Sequence, residues 1–264
     1  MENNCIAVIY EGNKTERILI ENLKKIFFLN RANIVFVGFP AGQNIYMLWK
    51  QIQKDEYETD LIELIREYNK DAAEKIAAEK LKGYSRDDFS EIYLFFDYDG
   101  HNCNLSATDP DGTAVLGEML ETFDNETELG KLYINYPMVE AIRDNKKEDC
   151  CYRRCSVSLE EAGKYKNIVS DMKEFQDFRK YTYEDWQYLC QQAIKKANCI
   201  VQGKYETASY KELFQYLSQQ DIYQSQQKNF VSKGEIAILS SVPLFLLEYF
   251  PGTFYEKILE QALC

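Results

Sequence analysis

The sequence predicts an α/β protein: a mainly parallel, four-stranded sheet flanked by helices, followed by a C-terminal α-helical domain. Two patterns predict it. Up to about residue 145, short apolar runs of β type alternate with stretches whose apolar residues recur at helical spacing. Beyond that point the β-type runs give way to Gln-, Lys-, Tyr- and Glu-rich stretches of helical period. The composition allows a full core: 264 residues, 45% hydrophobic and 28% charged, with 12 Gly and 5 Pro, exclude collagen-like, low-complexity and disordered classes.

Residues Cys5 to Tyr10 (CIAVIY) form the first predicted strand, and Glu11-Gly12-Asn13 turns the chain. Thr15 is the expected N-cap of a helix whose face is Ile18, Leu19, Asn22, Leu23, Ile26 and Phe27. Asn33 to Phe39 is a second strand, stopped at Pro40. A helical insertion over about 43–82 follows, read as one or two long helices with Leu61, Leu64, Ile65 and Tyr68 on one face. Glu91 to Phe96 is the third strand, 97–112 a polar loop, Thr113 to Phe123 a helix, and Lys131 to Tyr136 the fourth strand, closed by Pro137. Residues 1–145 are therefore expected as one domain, 146–158 as a linker, and 159–264 as a helical domain.

The chain is acidic, with 43 Asp and Glu against 31 Lys and Arg, a net charge of −12. That excludes a general nucleic-acid coat or a basic membrane-surface binder, but not an enzyme that reaches phosphate through a divalent metal and a local basic strip. The eight cysteines are far too few for a disulfide scaffold, and the sequence before Cys5 lacks a basic-plus-apolar signal. Reduced thiols and a cytoplasmic location are expected. The longest uncharged apolar stretch, Ile236 to Leu247, contains Pro243 and is too short to cross a bilayer, so no membrane partner is expected.

In open parallel sheets, function sits at the carboxyl ends of the strands. Glu11 follows the first strand there, and Asp97 and Asp99 follow the third, two residues apart on one side of an extended segment, with Tyr98 on the other. Converging carboxylates repel unless a cation lies between them, and a hard, oxygen-seeking ion such as Mg²⁺ or Mn²⁺ supplies that charge. Glu16, one turn into the first helix, completes a second metal position. Two ions about 3.5–4 Å apart suit phosphodiester cleavage.

Apolar strand plus Glu11-Gly12-Asn13-Lys14-Thr15-Glu16, then apolar strand plus Asp97-Tyr98-Asp99, resembles the Toprim domain of topoisomerases, primases and OLD-family nucleases. It is most similar to small stand-alone bacterial Toprim nucleases of the RloB and AriB type, associated with anti-phage defence. The resemblance covers about residues 5–145. It implies a Rossmann-like Toprim fold, Glu11 as general acid/base or metal ligand, Asp97 and Asp99 as the metal-binding pair, and Glu16 as an auxiliary acid. The insertion over about 43–81 is longer than a minimal Toprim core has, and the chain carries no ATPase domain. The resemblance thus also implies an ATPase partner protein, and a homo-oligomer is compatible with it.

Other residues enter the same reading. Glu140, after Tyr136-Pro137, reaches toward the strand ends as a further metal ligand, or is simply a favourable acid in a first helical turn. Lys14 is a candidate for transition-state charge. His101, the only histidine, is a candidate contact to the scissile phosphate or metal, and its being alone excludes multi-histidine metal sites. Arg143, Lys146, Lys147, Arg153 and Arg154 are a candidate strip for a phosphate backbone, against the plainer reading of a solvated loop.

The expected function is divalent-metal-dependent phosphodiester hydrolysis of RNA or DNA. The alternative is a regulatory Toprim-like module that acts only with an ATPase or other partner. A haloacid-dehalogenase-type phosphatase, suggested by Phe95 to His101 (FFDYDGH), is weaker because that motif belongs on the first strand. Asp109 to Thr113 reads as a turn and helix start; an EF-hand fails because Asn102 and Thr108 stand where Gly and Glu are needed. A zinc site on Cys103, Cys150, Cys151 and Cys155 lacks paired CxxC spacing.

Overall fold

The computed structural model describes residues 4–31, 33–54, 60–70, 76–98, 113–147, 153–250 and 252–260. The first stretch of chain builds β1 (Asn4–Tyr10), α1 (Thr15–Phe27), β2 (Ile34–Pro40), α2 (Ile45–Lys54), α3 (Leu61–Tyr68), α4 (Ile76–Lys80), β3 (Glu91–Asp97), α5 (Thr113–Thr122), β4 (Asp124–Asn125) and β5 (Gly130–Asn135). These strands form a mostly parallel sheet in the order β2-β1-β3-β5-β4. Strand β1 pairs in parallel with β2, Asn4 opposite Ile34 through Tyr10 opposite Pro40. It also pairs in parallel with β3, Ile6 opposite Glu91 through Tyr10 opposite Phe95. Ile6, Ala7, Val8 and Ile9 are wholly buried, as a central parallel strand covered on both faces requires.

The α/β class and the four expected strands are present, with three corrections. The sheet has a fifth strand: β4 pairs antiparallel with β5, Asp124 opposite Lys131 and Asn125 opposite Gly130. Two polar residues carry no β signal; the pairing is made by the turn, where the Asn125 side chain accepts from the Thr127 backbone N–H at 3.0 Å and its hydroxyl at 2.8 Å. Among the described residues the insertion holds three separate helices, of which α3, bounded at both ends, is eight residues long, against the one or two long helices expected. Asp60 starts α3 by accepting from the N–H groups of Ile62 and Glu63, and Asn69 ends it by donating to the Ile65 carbonyl at 2.8 Å and the Ala41 carbonyl at 3.0 Å. Thr15 is the first residue of α1, whose cap position is Lys14.

The later chain builds β6 (Ser156–Ser158), α6 (Leu159–Ala162), α7 (Tyr165–Ile168), α8 (Tyr183–Gln202), α9 (Tyr210–Tyr216), α10 (Gln219–Asn229), β7 (Glu235–Ala237), α11 (Val242–Tyr249) and α12 (Thr253–Glu260). The expectation of a purely helical region is corrected: β6 and β7 pair antiparallel, Ser156 opposite Ala237 through Ser158 opposite Glu235. Part of the expected linker is thus strand. The wholly buried Gln226 acts as a further strand edge, donating to the Ala237 carbonyl at 2.8 Å and accepting from its N–H at 2.9 Å. The twenty-residue α8 opens on a Thr182–Asp185 capping box and closes at Gly203, whose φ of 74° is left-handed.

The chain divides into two compact units: the described residues of Met1–Phe96 and Asn102–Leu132, and those of Asp97–His101 and Tyr133–Cys264. The division falls at 132/133, so Asn135 and Glu140 belong with the second unit. Among the described residues no helix is long and apolar enough to cross a membrane.

Candidate functional site

In the first unit, β1 ends at Tyr10 and the next residue, Glu11, donates its backbone N–H to the Phe95 carbonyl at 3.2 Å. That bond continues the β1–β3 ladder by one step and fixes where the Glu11 side chain leaves the sheet. Gly12 leaves room for the Glu16 carboxylate: a Cβ there would lie 2.6–2.9 Å from its atoms, so any larger residue would displace that flexible end. The Glu16 side chain, from the first turn of α1, therefore folds back over the Gly12 backbone, where an acid also suits the positive end of the helix. Lys14 is exposed on the same loop. Tyr10 is held protonated, chiefly by burial and then by the negative charge of Glu21.

The loop after β2 runs beside this strand end, since Ala41 donates to the Tyr10 carbonyl at 2.7 Å. Gly42, with φ of 78°, passes close against Asn69, and Asn44 caps α2 by accepting from the Met47 N–H at 3.0 Å. Between them, both polar atoms of the Gln43 amide are buried without a hydrogen-bond partner. Such groups cost about 1–3 kcal/mol each when left unmet. Sequence reasoning missed Gln43; a polar residue before a helix cap carries no signal of its own.

In the second unit, Asp97 is the last residue of β3, and its Oδ1 accepts from the side-chain amide of Asn135 at 3.2 Å. Asn135 is buried at the end of β5. Its own oxygen accepts from the backbone N–H and hydroxyl of Ser241, each at 3.0 Å, and from the Ser240 hydroxyl at 3.4 Å. A backbone N–H only donates, so the Asn135 oxygen must face Ser241 and its NH₂ must face Asp97. The amide thus fixes the carboxylate orientation from behind. Tyr98 is held separately: its N–H donates to the Asn135 carbonyl at 2.9 Å, its ring lies 5.5 Å from that of Tyr136, and its hydroxyl accepts from Gln227 at 3.2 Å. Asn135, Ser240 and Ser241 were not singled out from sequence, because their partners lie 38 to 106 residues away.

Glu140 lies in a 3₁₀ turn, Val139–Arg143, after the cis Tyr136-Pro137 bond. It is buried and paired with Lys166 Nζ at 3.1 Å, so an ammonium already neutralises it. The basic residues make contacts inside their own unit. The Arg143 guanidinium lies 4.6 Å from the Phe178 ring centroid, and that of Arg153 lies 4.3 Å from Tyr205. Lys147 pairs with Asp185, Arg154 pairs with Asp144 at 3.2 Å, and the Lys146 carbonyl accepts from Tyr188 at 2.7 Å. Burial pushes the Asp185 carboxyl up, but its bonds to Lys147 and Thr182 outweigh this and leave it below the usual range.

Asp99 and His101 lie outside the described residues, as do Cys103, Cys150 and Cys151. Among the described residues no group of three or more His, Cys, Asp and Glu is gathered as a metal cluster. The donors at the strand ends are all carboxylate oxygens, the type a hard divalent ion takes. Comparison with protein-family models, with curated proteins and with solved structures finds no match.

Proposed function

We propose that the chain is a divalent-metal-dependent, Toprim-like phosphodiesterase that hydrolyses RNA or DNA. The observation that carries this reading is the strand-end Asp97, whose carboxylate is oriented by the buried Asn135 amide. A buried amide, its oxygen held by Ser240 and Ser241 and its NH₂ aimed at a half-buried carboxylate, is the kind of support that a metal ligand needs. Within the first unit, β1 and β3 pair in parallel up to Tyr10 opposite Phe95, and Glu11 is the next residue of the chain. A bound Mg²⁺ or Mn²⁺ would polarise the phosphate and lower the pKa of a water at that edge. Asp97 and Asp99 would hold the ion, Glu16 would add an oxygen, Glu11 would accept the proton of the attacking water, and Lys14 would meet developing charge on the phosphate.

The test is incubation of the purified protein with plasmid, single-stranded DNA and bulk tRNA in Mg²⁺ or Mn²⁺, beside Asp97→Asn. That variant keeps an oxygen to accept from Asn135, so the fold should survive while the charge is lost. Cleavage by the wild type that falls at least about 100-fold in the variant is expected. Equal cleavage by both would remove Asp97 from the reaction. No cleavage by the wild type would favour the alternative, a module that acts with an ATPase partner; the internal engagement of Lys147, Arg153 and Arg154 already points that way.

A further inference from the structure

The second unit brings two cysteines to one small space between α8 and the β6–β7 pair. Cys155 stands just before β6, where its carbonyl accepts from the Ile238 N–H at 2.9 Å and extends the ladder by one step. Residues opposite one another on antiparallel strands put their side chains on one face. Cys155 and Ile238 therefore share a face with Val157 and Ile236, and of these four only Cys155 is exposed. Cys199 lies in the last turn of α8, three residues after Lys196 and so on the same side of the helix. Cys155, Cys199, Lys196, Ile200 and Ile238 line the space, which is almost wholly apolar and has room for about one or two water molecules.

The two thiols stand within electrostatic reach of each other. Cys155 acts on the Cys199 thiol and on the Lys196 ammonium, and both cysteines act on the Tyr205 hydroxyl. Tyr205 is itself fixed, donating to Gln192 at 2.8 Å with the Arg153 guanidinium over its ring. The settings of the two cysteines differ in the way a redox pair needs. Cys155 is exposed, so a small oxidant reaches it directly. Cys199 is only partly exposed, and burial, then the neighbouring Cys155, pushes its thiol up. Both are free thiols, and the space they share is too small to hold a ligand between them.

We propose that Cys155 and Cys199 are a peroxide-reactive pair that closes into a disulfide, pinning the start of β6 to the last turn of α8. The Cys155 thiolate sulfur attacks one oxygen of hydrogen peroxide. An S–O bond forms, the O–O bond breaks and hydroxide leaves, so the peroxide is reduced and Cys155 becomes a sulfenic acid. The Cys199 sulfur then attacks the Cys155 sulfur; the S–S bond forms, the S–O bond breaks, and the departing hydroxide takes up the Cys199 proton as water. Two thiols and one hydrogen peroxide thus give one disulfide and two waters. A dithiol reductant reverses the step by exchange. This inference does not rest on the nuclease reading, because it needs neither metal nor cleavage.

The test is mass-spectrometric mapping of the full chain after treatment with hydrogen peroxide and alkylation of the remaining thiols in denaturant. Wild type, Cys155→Ser and Cys199→Ser are compared. Wild type should yield a monomer with one peptide pair joined through Cys155 and Cys199 and separated by dithiothreitol, while the wholly buried Cys190 stays a thiol. With dimedone present, Cys199→Ser should carry the sulfenic-acid adduct on Cys155, and Cys155→Ser should carry none on Cys199. Serine is close to cysteine in size, so each variant should melt within about 2 °C of reduced wild type, which separates a lost bond from a lost fold. Oxidised wild type should melt at least about 4 °C above the reduced form, a gain that neither variant shows. Cys155 left as a thiol under peroxide, or joined to any other cysteine or to a second chain, would overturn the proposal. So would a Cys155–Cys199 disulfide that leaves the Tm unchanged or lower, because the two residues would then have been pulled together at the expense of the fold.

Discussion

The ends of β1 and β3 each present a carboxylate, and they position it by different means. At β1 the work is local: a ladder hydrogen bond sets Glu11, and the missing side chain of Gly12 makes room for Glu16 four residues on. At β3 it is long-range: Asp97 is oriented by Asn135, and Asn135 by Ser240 and Ser241 at the start of α11. A locally built site should tolerate substitution with little loss of stability. One built from a buried polar network should lose function and stability together, because every member left unpaired carries a desolvation cost.

The largest effect expected from that difference is at Asn135. Asn135→Ala leaves the buried Ser241 N–H without an acceptor and removes the donor to Asp97, so unfolding in urea should show a loss of about 2–4 kcal/mol. Asn135→Asp adds a sharper signature. The new carboxyl is buried, faces Asp97, and has a folded pKa raised above its unfolded value of about 3.9. Its destabilisation is therefore small below about pH 4 and grows as pH rises toward the folded pKa. A flat pH profile relative to wild type would break the network account.

A smaller effect is expected at Gly12. Gly12→Ala places a Cβ where the Glu16 carboxylate now sits, and that flexible end must swing away. Stability should change by less than about 0.5 kcal/mol, while Mn²⁺ affinity falls severalfold. A large stability loss with unchanged metal affinity would mean that Gly12 serves the turn alone and that the two strand ends are not built differently.

The same contrast explains what the sequence made legible. Strands β1, β2, β3 and β5 and the position of Glu11 are readable because an apolar run followed by Gly or Pro is a local signal. Asn135 is not, since an Asn at a strand end looks like a strand stop until residues 240 and 241 are known to face it. The β6–β7 pair joins three-residue strands some 80 positions apart, too short for any period to appear. The basic stretch from Arg143 to Arg154 shows its charge but not its partners: Asp185, Phe178 and Tyr205 lie 35 to 52 residues further along from the residues they meet. Glu140 is a similar case, its Lys166 partner being invisible to strand-end reasoning.

The proposed role of Asp97 as a metal ligand is open to titration calorimetry with Mn²⁺ on wild type and Asp97→Asn. Saturable binding by the wild type, at least about tenfold weaker binding by the variant, and the same Tm for both without metal are expected. Wild-type protein that takes up no Mn²⁺, or a variant that binds it as tightly as wild type, would show that Asp97 is not a metal ligand.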